Sequence, residues 1–91
     1  MIHKAIHCYV SGHVQGVFFR QETKQRAQTL GLVGWVKNLP DGRVEVMASG
    51  EAAQVDQLHA WLRHGPTLAH VSNLESDEVE YKAFACFTIR Y

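Results

Sequence analysis

The chain has 91 residues, zero formal net charge and a hydrophobic share of 46%. That length leaves room for one core, so residues 1–91 are expected to form a single domain, and the apolar share excludes a disordered chain. The balanced charge argues against a broad footprint on nucleic acid or an anionic membrane, so any anion site must be local.

The opening Met1-Ile2-His3-Lys4-Ala5 lacks the apolar run of a signal peptide, and no later stretch reaches membrane-spanning length, which makes the cytoplasm the expected location. His3 to Ser11 alternates Ile6, Cys8 and Val10 with His7, Tyr9 and Ser11, the period of a half-buried strand, and Gly12 is expected to end it. From Arg20 to Leu30 the residues Thr23, Ala27 and Leu30 return at helical spacing until Gly31 supplies a stop. Leu32 to Leu39 and Arg43 to Ala48 read as strands, joined by Pro40-Asp41-Gly42, whose Asp-Gly favours a tight hairpin. Val55, Leu58, Trp61 and Leu62 then mark an amphipathic helix ending before Gly65-Pro66. His70 to Glu80 and Ala83 to Tyr91 complete the set as strands, the latter alternating through Ala85, Phe87, Ile89 and Tyr91.

The order βαββαβ plus one C-terminal strand predicts an α+β fold, a ferredoxin-like split βαβ sandwich with two helices on one face of an antiparallel sheet. In that topology the first two strands run parallel, so the segment after the first strand and the end of the second meet at one edge. Residues 12–20 and Asn38 occupy those positions. Cys8 and Cys86 have neither zinc-ligand nor redox-pair spacing and fall on opposite sides of the predicted alternation, so two free thiols are expected.

Between Gly12 and Arg20 the chain leaves a strand and enters a helix, and Gly12 and Gly16 permit a backbone whose N–H groups converge. The first helical turn adds unpaired amides and the positive end of its dipole, and Arg20 adds a planar, permanently charged fork. Two glycines and an arginine taken alone more often make a plain turn beside a solvated side chain. The loop is neither a Walker A loop, since no Lys-Ser/Thr follows the glycine, nor a Rossmann fingerprint.

Gly12-His13-Val14-Gln15-Gly16-Val17-Phe18-Phe19-Arg20 resembles the acylphosphatase signature Gly-x-Val-Gln-Gly-Val-x-Phe-Arg at every diagnostic position. Gly34-Trp35-Val36-Lys37-Asn38, with Asp41-Gly42-Arg43-Val44, is similar to that family's second signature. The likeness runs on through Leu30 to Gly34 and the segment around Trp61-Leu62, and is weakest over 66–82. It implies the ferredoxin-like fold and the hydrolysis of a small-molecule acyl phosphate to carboxylate and inorganic phosphate. By matched position, Val14, Gln15, Gly16, Val17, Phe18, Phe19 and Arg20 would form the phosphate loop, Arg20 would bind the phosphoryl group and Asn38 would orient the attacking water. A carboxamide suits that last task because it accepts from water and donates to phosphate without adding negative charge.

No cofactor or metal is expected, since amides and a guanidinium stand where a cation would act. The alternative is a non-catalytic module binding small anions, which would have no need of a water-orienting amide. His3 and His7 could share a strand face but would lie some distance apart along it, and no His-x₃-His pair falls on a helix, so the six histidines are expected to be solvated or hydrogen-bonded, with His13 placed to tune pH dependence. Trp35, Trp61, Phe19 and Phe87 are expected in the core, while Tyr9 falls on the uncovered face. With no RNA-binding aromatic run and no excess of positive charge, no nucleic-acid partner is expected, and the chain is expected to be a monomer.

Overall fold

A computed structural model describes residues 2–81 and 83–91, so Met1 and Lys82 lie outside the described residues. The elements in chain order are β1 (His3–His13), α1 (Phe19–Thr29), β2 (Val33–Asn38), β3 (Val44–Glu51), α2 (Ala52–Leu62), β4 (His70–Val79) and β5 (Phe87–Arg90). They form one five-stranded sheet in the order β4-β1-β3-β2-β5, with both helices packed on one face.

Period-two burial builds the sheet's inner face. Ile6, Cys8 and Val10 of β1, Val44, Val46 and Ala48 of β3, and Val36 of β2 are all buried beneath the helices. α1 contributes Phe19, Thr23 and Ala27, and α2 contributes Val55, Leu58 and Leu62, the stripe that a 3.6-residue period sets inward. Thr23 is buried at no cost in unmet hydrogen bonds because its hydroxyl donates to the Phe19 carbonyl at 2.7 Å. Trp61 is half-buried against this core, its ring centroid 5.7 Å from that of Phe19.

Four expectations need correction. The sheet is mixed: β1, β2, β3 and β4 pair antiparallel, but β5 adds to β2 in parallel, with Gly34 opposite Phe87. β5 begins at Phe87 rather than Ala83, and of its expected inward set Phe87 is buried, Ile89 half-buried, and Ala85 and Tyr91 exposed. Gly12 does not end β1; the strand runs on to His13, and Gly12 sits at a register shift against β4. Its φ of 126° and the nearness of His70 explain the glycine, because an added Cβ would lie 2.2 Å from the His70 carbonyl oxygen. Trp35 is not in the core: the alternation that buries Val36 turns Trp35 to the open face.

On that open face Trp35 stands opposite Met47 of β3 in the strand register, its ring edge-on to His7 at a centroid distance of 6.2 Å. Arg90 covers its ring at 4.6 Å and Arg43 covers Tyr9 at 4.7 Å. His7 Nε2 lies 2.6 Å from Glu45 Oε2, and Lys37 Nζ lies 3.8 Å from the other Glu45 oxygen. Both cysteines are free thiols, Cys8 buried and Cys86 exposed. Burial, with a smaller contribution from the Asp77 charge, pushes the Cys8 thiol up to about 12.

Candidate active site

β1 and β2 are each antiparallel to β3, so both run the same way and deliver residues 14–20 and Asn38 to one edge of the sheet. There a cavity of about 260 Å³ is lined by Val14, Gly16, Phe18, Phe19, Arg20, Gln21, Asn38, Ile89 and Tyr91. Drug-sized ligands usually occupy roughly 300–1,000 Å³, so the room suits a small metabolite.

The loop is anchored by alternate side chains. Val14, Val17 and Phe19 are 1%, 4% and 2% exposed and hold it to the core, while Gly16 and Phe18 face outward. Gly16 has φ 75° and Phe18 φ 66°, with Val17 between them outside the left-handed region. Backbone that alternates in handedness is the pattern by which successive N–H groups can be turned toward one point. Glycine adopts such a φ freely; for Phe18 a left-handed backbone costs on the order of 1–3 kcal/mol.

Phe18 is also the N-cap of α1, and its side chain makes no capping hydrogen bond. The first helical bond runs from the Glu22 N–H to the Phe18 carbonyl at 3.0 Å, which leaves the Phe19, Arg20 and Gln21 amides as the orphan donors of the first turn. The same three residues line the cavity, at the end of the helix where its dipole is positive. Arg20 has no carboxylate partner among the described residues; its guanidinium lies 5.0 Å from the Tyr91 ring centroid.

Asn38, at the end of β2, lines the opposite wall. Its Oδ1 is buried and has no hydrogen-bond partner among the described residues. An unpaired buried acceptor costs about 1–3 kcal/mol, a feature that fold stability alone does not account for.

Gln15 does something the sequence did not disclose. Its side-chain amide donates to the Leu39 carbonyl at 2.8 Å and to the Arg43 carbonyl at 3.0 Å, tying the loop to the turn that follows Asn38. That turn is stiffened in its own right: the Asp41 carboxylate accepts from the Arg43 backbone N–H at 3.1 Å and from Arg43 Nε at 2.8 Å. Those bonds hold the Asp41 carboxyl below its ordinary range, the Arg43 backbone bond first among the causes. The Gln15 side chain and Val17 are outside the cavity lining, as is His13, an exposed residue opposite His70. Among the described residues no cluster of three or more His, Cys, Asp or Glu is placed to hold a metal ion.

Fold and cavity together define an α+β sandwich with a small pocket, lined by Arg20 and Asn38, at one sheet edge. The family model for acylphosphatase matches residues 6–89. The chain is 55% identical over 80 residues to an acylphosphatase of Acaryochloris marina, an alignment covering 88% of this chain and 86% of the relative. It is 49% identical over 85 residues to one from Nitrosococcus oceani, covering 93% and 96%. A solved acylphosphatase structure from Coxiella burnetii superposes with a TM-score of 0.93 at 44% identity, covering 97% of this chain and 93% of that one. The chain belongs to the acylphosphatase family.

Proposed function

We propose that Arg20 binds the phosphoryl group of an acyl phosphate, with the backbone of residues Val14 to Arg20 around it, and that Asn38 orients the attacking water. The reaction follows from the family: the chain is an enzyme that hydrolyses acyl phosphates to carboxylate and inorganic phosphate. The reading of a non-catalytic anion-binding module is not favoured.

The observation that carries the residue roles is the unpaired, buried Asn38 Oδ1 in the cavity that also holds Arg20. Water donating one hydrogen to Oδ1 is placed beside the phosphorus, while the carboxamide N–H₂ is free to donate to a phosphoryl oxygen. Attack forms the new P–O bond as the bond to the acyl oxygen breaks, and its electron pair leaves with the carboxylate. The proton from water passes to a phosphoryl oxygen, so no side chain need titrate. Arg20 and the converging amides carry the charge on the equatorial oxygens, the task that a metal ion performs in many phosphoryl transfers.

Turnover is therefore expected without metal or cofactor. No helix among the described residues is long and apolar enough to cross a membrane. We further read the chain as a single-domain, cytoplasmic monomer with no nucleic-acid partner. The test of the site is hydrolysis of benzoyl phosphate in excess chelator by wild type, Arg20→Ala and Asn38→Ala, each checked for folding by circular dichroism. Chelator-resistant turnover that falls at least ~10²-fold in both folded variants supports the assignment; full activity in either variant removes that residue from it.

A further inference from the structure

We infer that Phe18, together with Ile89 and Tyr91, forms an apolar wall at the mouth of the pocket that selects acyl phosphates with a flat, apolar acyl group. The inference rests on the hydrolase reading above and concerns the other half of the substrate. Loop amides and Arg20 engage the phosphoryl end, so the acyl group has to project toward the mouth.

Three observations point to Phe18. It is 68% exposed between the buried Val17 and Phe19, and its ring is not part of the core cluster. Its backbone holds a left-handed φ of 66°, the one non-glycine residue so placed among those described. Third, position 18 is one of the two open positions of the loop signature, so phosphate binding does not demand an aromatic there. A large apolar ring kept in a strained, solvent-facing position at the rim of a reaction cavity is placed for a ligand rather than for the fold.

The surroundings complete the wall. Ile89 is half-buried and Tyr91 is 99% exposed, and both line the cavity with Phe18. Among the described residues Arg20 carries the only charged side chain in the lining, so once it grips phosphate the lining offers no second cation to another anionic group on the substrate. Acyl groups bearing a carboxylate would thus go unpaired at the mouth, whereas a flat ring would stack on Phe18 or Tyr91.

The experiment compares kcat/KM for benzoyl phosphate and acetyl phosphate in wild type, Phe18→Ala and Phe18→Gly; glycine adopts the left-handed backbone without strain, so that variant keeps the loop geometry. The benzoyl-to-acetyl ratio is expected to fall roughly 2- to 12-fold in both, the size of an exposed aromatic pair. An unchanged ratio, whatever the absolute rates, overturns the inference. Competitive inhibition of the wild type by phenylphosphonate and methylphosphonate gives a second reading that needs no variant: tighter binding of the phenyl compound is expected, and equal affinities overturn the inference. A wild type that turns over neither acyl phosphate would sink the hydrolase reading instead.

Discussion

The open face of the sheet and the edge where the first loop meets β2 treat their polar groups in opposite ways. On the open face His7 and Lys37 both approach Glu45, and Arg43 and Arg90 lie over aromatic rings. At the loop edge, among the described residues, Asn38 Oδ1 is buried without a partner, Arg20 has no carboxylate and only the fully exposed Tyr91 ring beside its guanidinium, and Phe18 is strained and exposed. Saturated groups stabilise what is already there; unsaturated ones, costly in the isolated fold, are held ready for something that arrives.

The sharpest way to break that contrast is to remove Arg20. Arg20→Ala is expected to lose at least ~10²-fold in kcat/KM with little change in the urea midpoint, since among the described residues the side chain has no ion pair and its one ring contact is with the exposed Tyr91. Gly12→Ala acts through structure instead: its Cβ would collide with the His70 carbonyl, and a loss of about 1–3 kcal/mol in denaturant unfolding is expected. Gln15→Ala removes two hydrogen bonds between loop and hairpin, for about 1 kcal/mol each, and should lower kcat as well because Asn38 shifts relative to the loop. On the open face, His7→Ala is expected to change stability by about 1 kcal/mol and to leave kcat/KM unaltered, since it removes one part-buried hydrogen bond while Lys37 still approaches Glu45. At the smallest scale, alkylation of the native protein near neutral pH should label Cys86 and spare Cys8, which is buried and held protonated up to about 12, whereas denatured protein should take label at both.

Much of this was legible in the chain because period and punctuation agree. The alternation of Ile6, Cys8 and Val10 and of Val44, Val46 and Ala48 fixed which face is buried, and topology then brought Arg20 and Asn38, distant in sequence, to one edge. What escaped depends on contacts between segments. Four residues of β5 cannot reveal that they pair in parallel with β2, since that follows from where the chain returns after β4. Trp35 reads as a core aromatic rather than a base-stacking one, but the burial of Val36 beside it puts Trp35 on the opposite face. The sequence motif puts Gln15 in the phosphate loop, but only the nearness of the Leu39–Arg43 turn shows that its side chain reaches away from the cavity. Phe18's left-handed backbone carried no glycine or asparagine to announce it.

The division of labour between Arg20 and Asn38 is tested most directly by measuring kcat and the inhibition constant of inorganic phosphate side by side in wild type, Arg20→Ala and Asn38→Ala. With Arg20 as the phosphate ligand and Asn38 as the water-orienting group, Arg20→Ala should weaken phosphate inhibition strongly, while Asn38→Ala should lose at least ~10²-fold in kcat yet keep phosphate inhibition within a few-fold of wild type. Phosphate inhibition preserved in folded Arg20→Ala, or kcat preserved in folded Asn38→Ala, would contradict it.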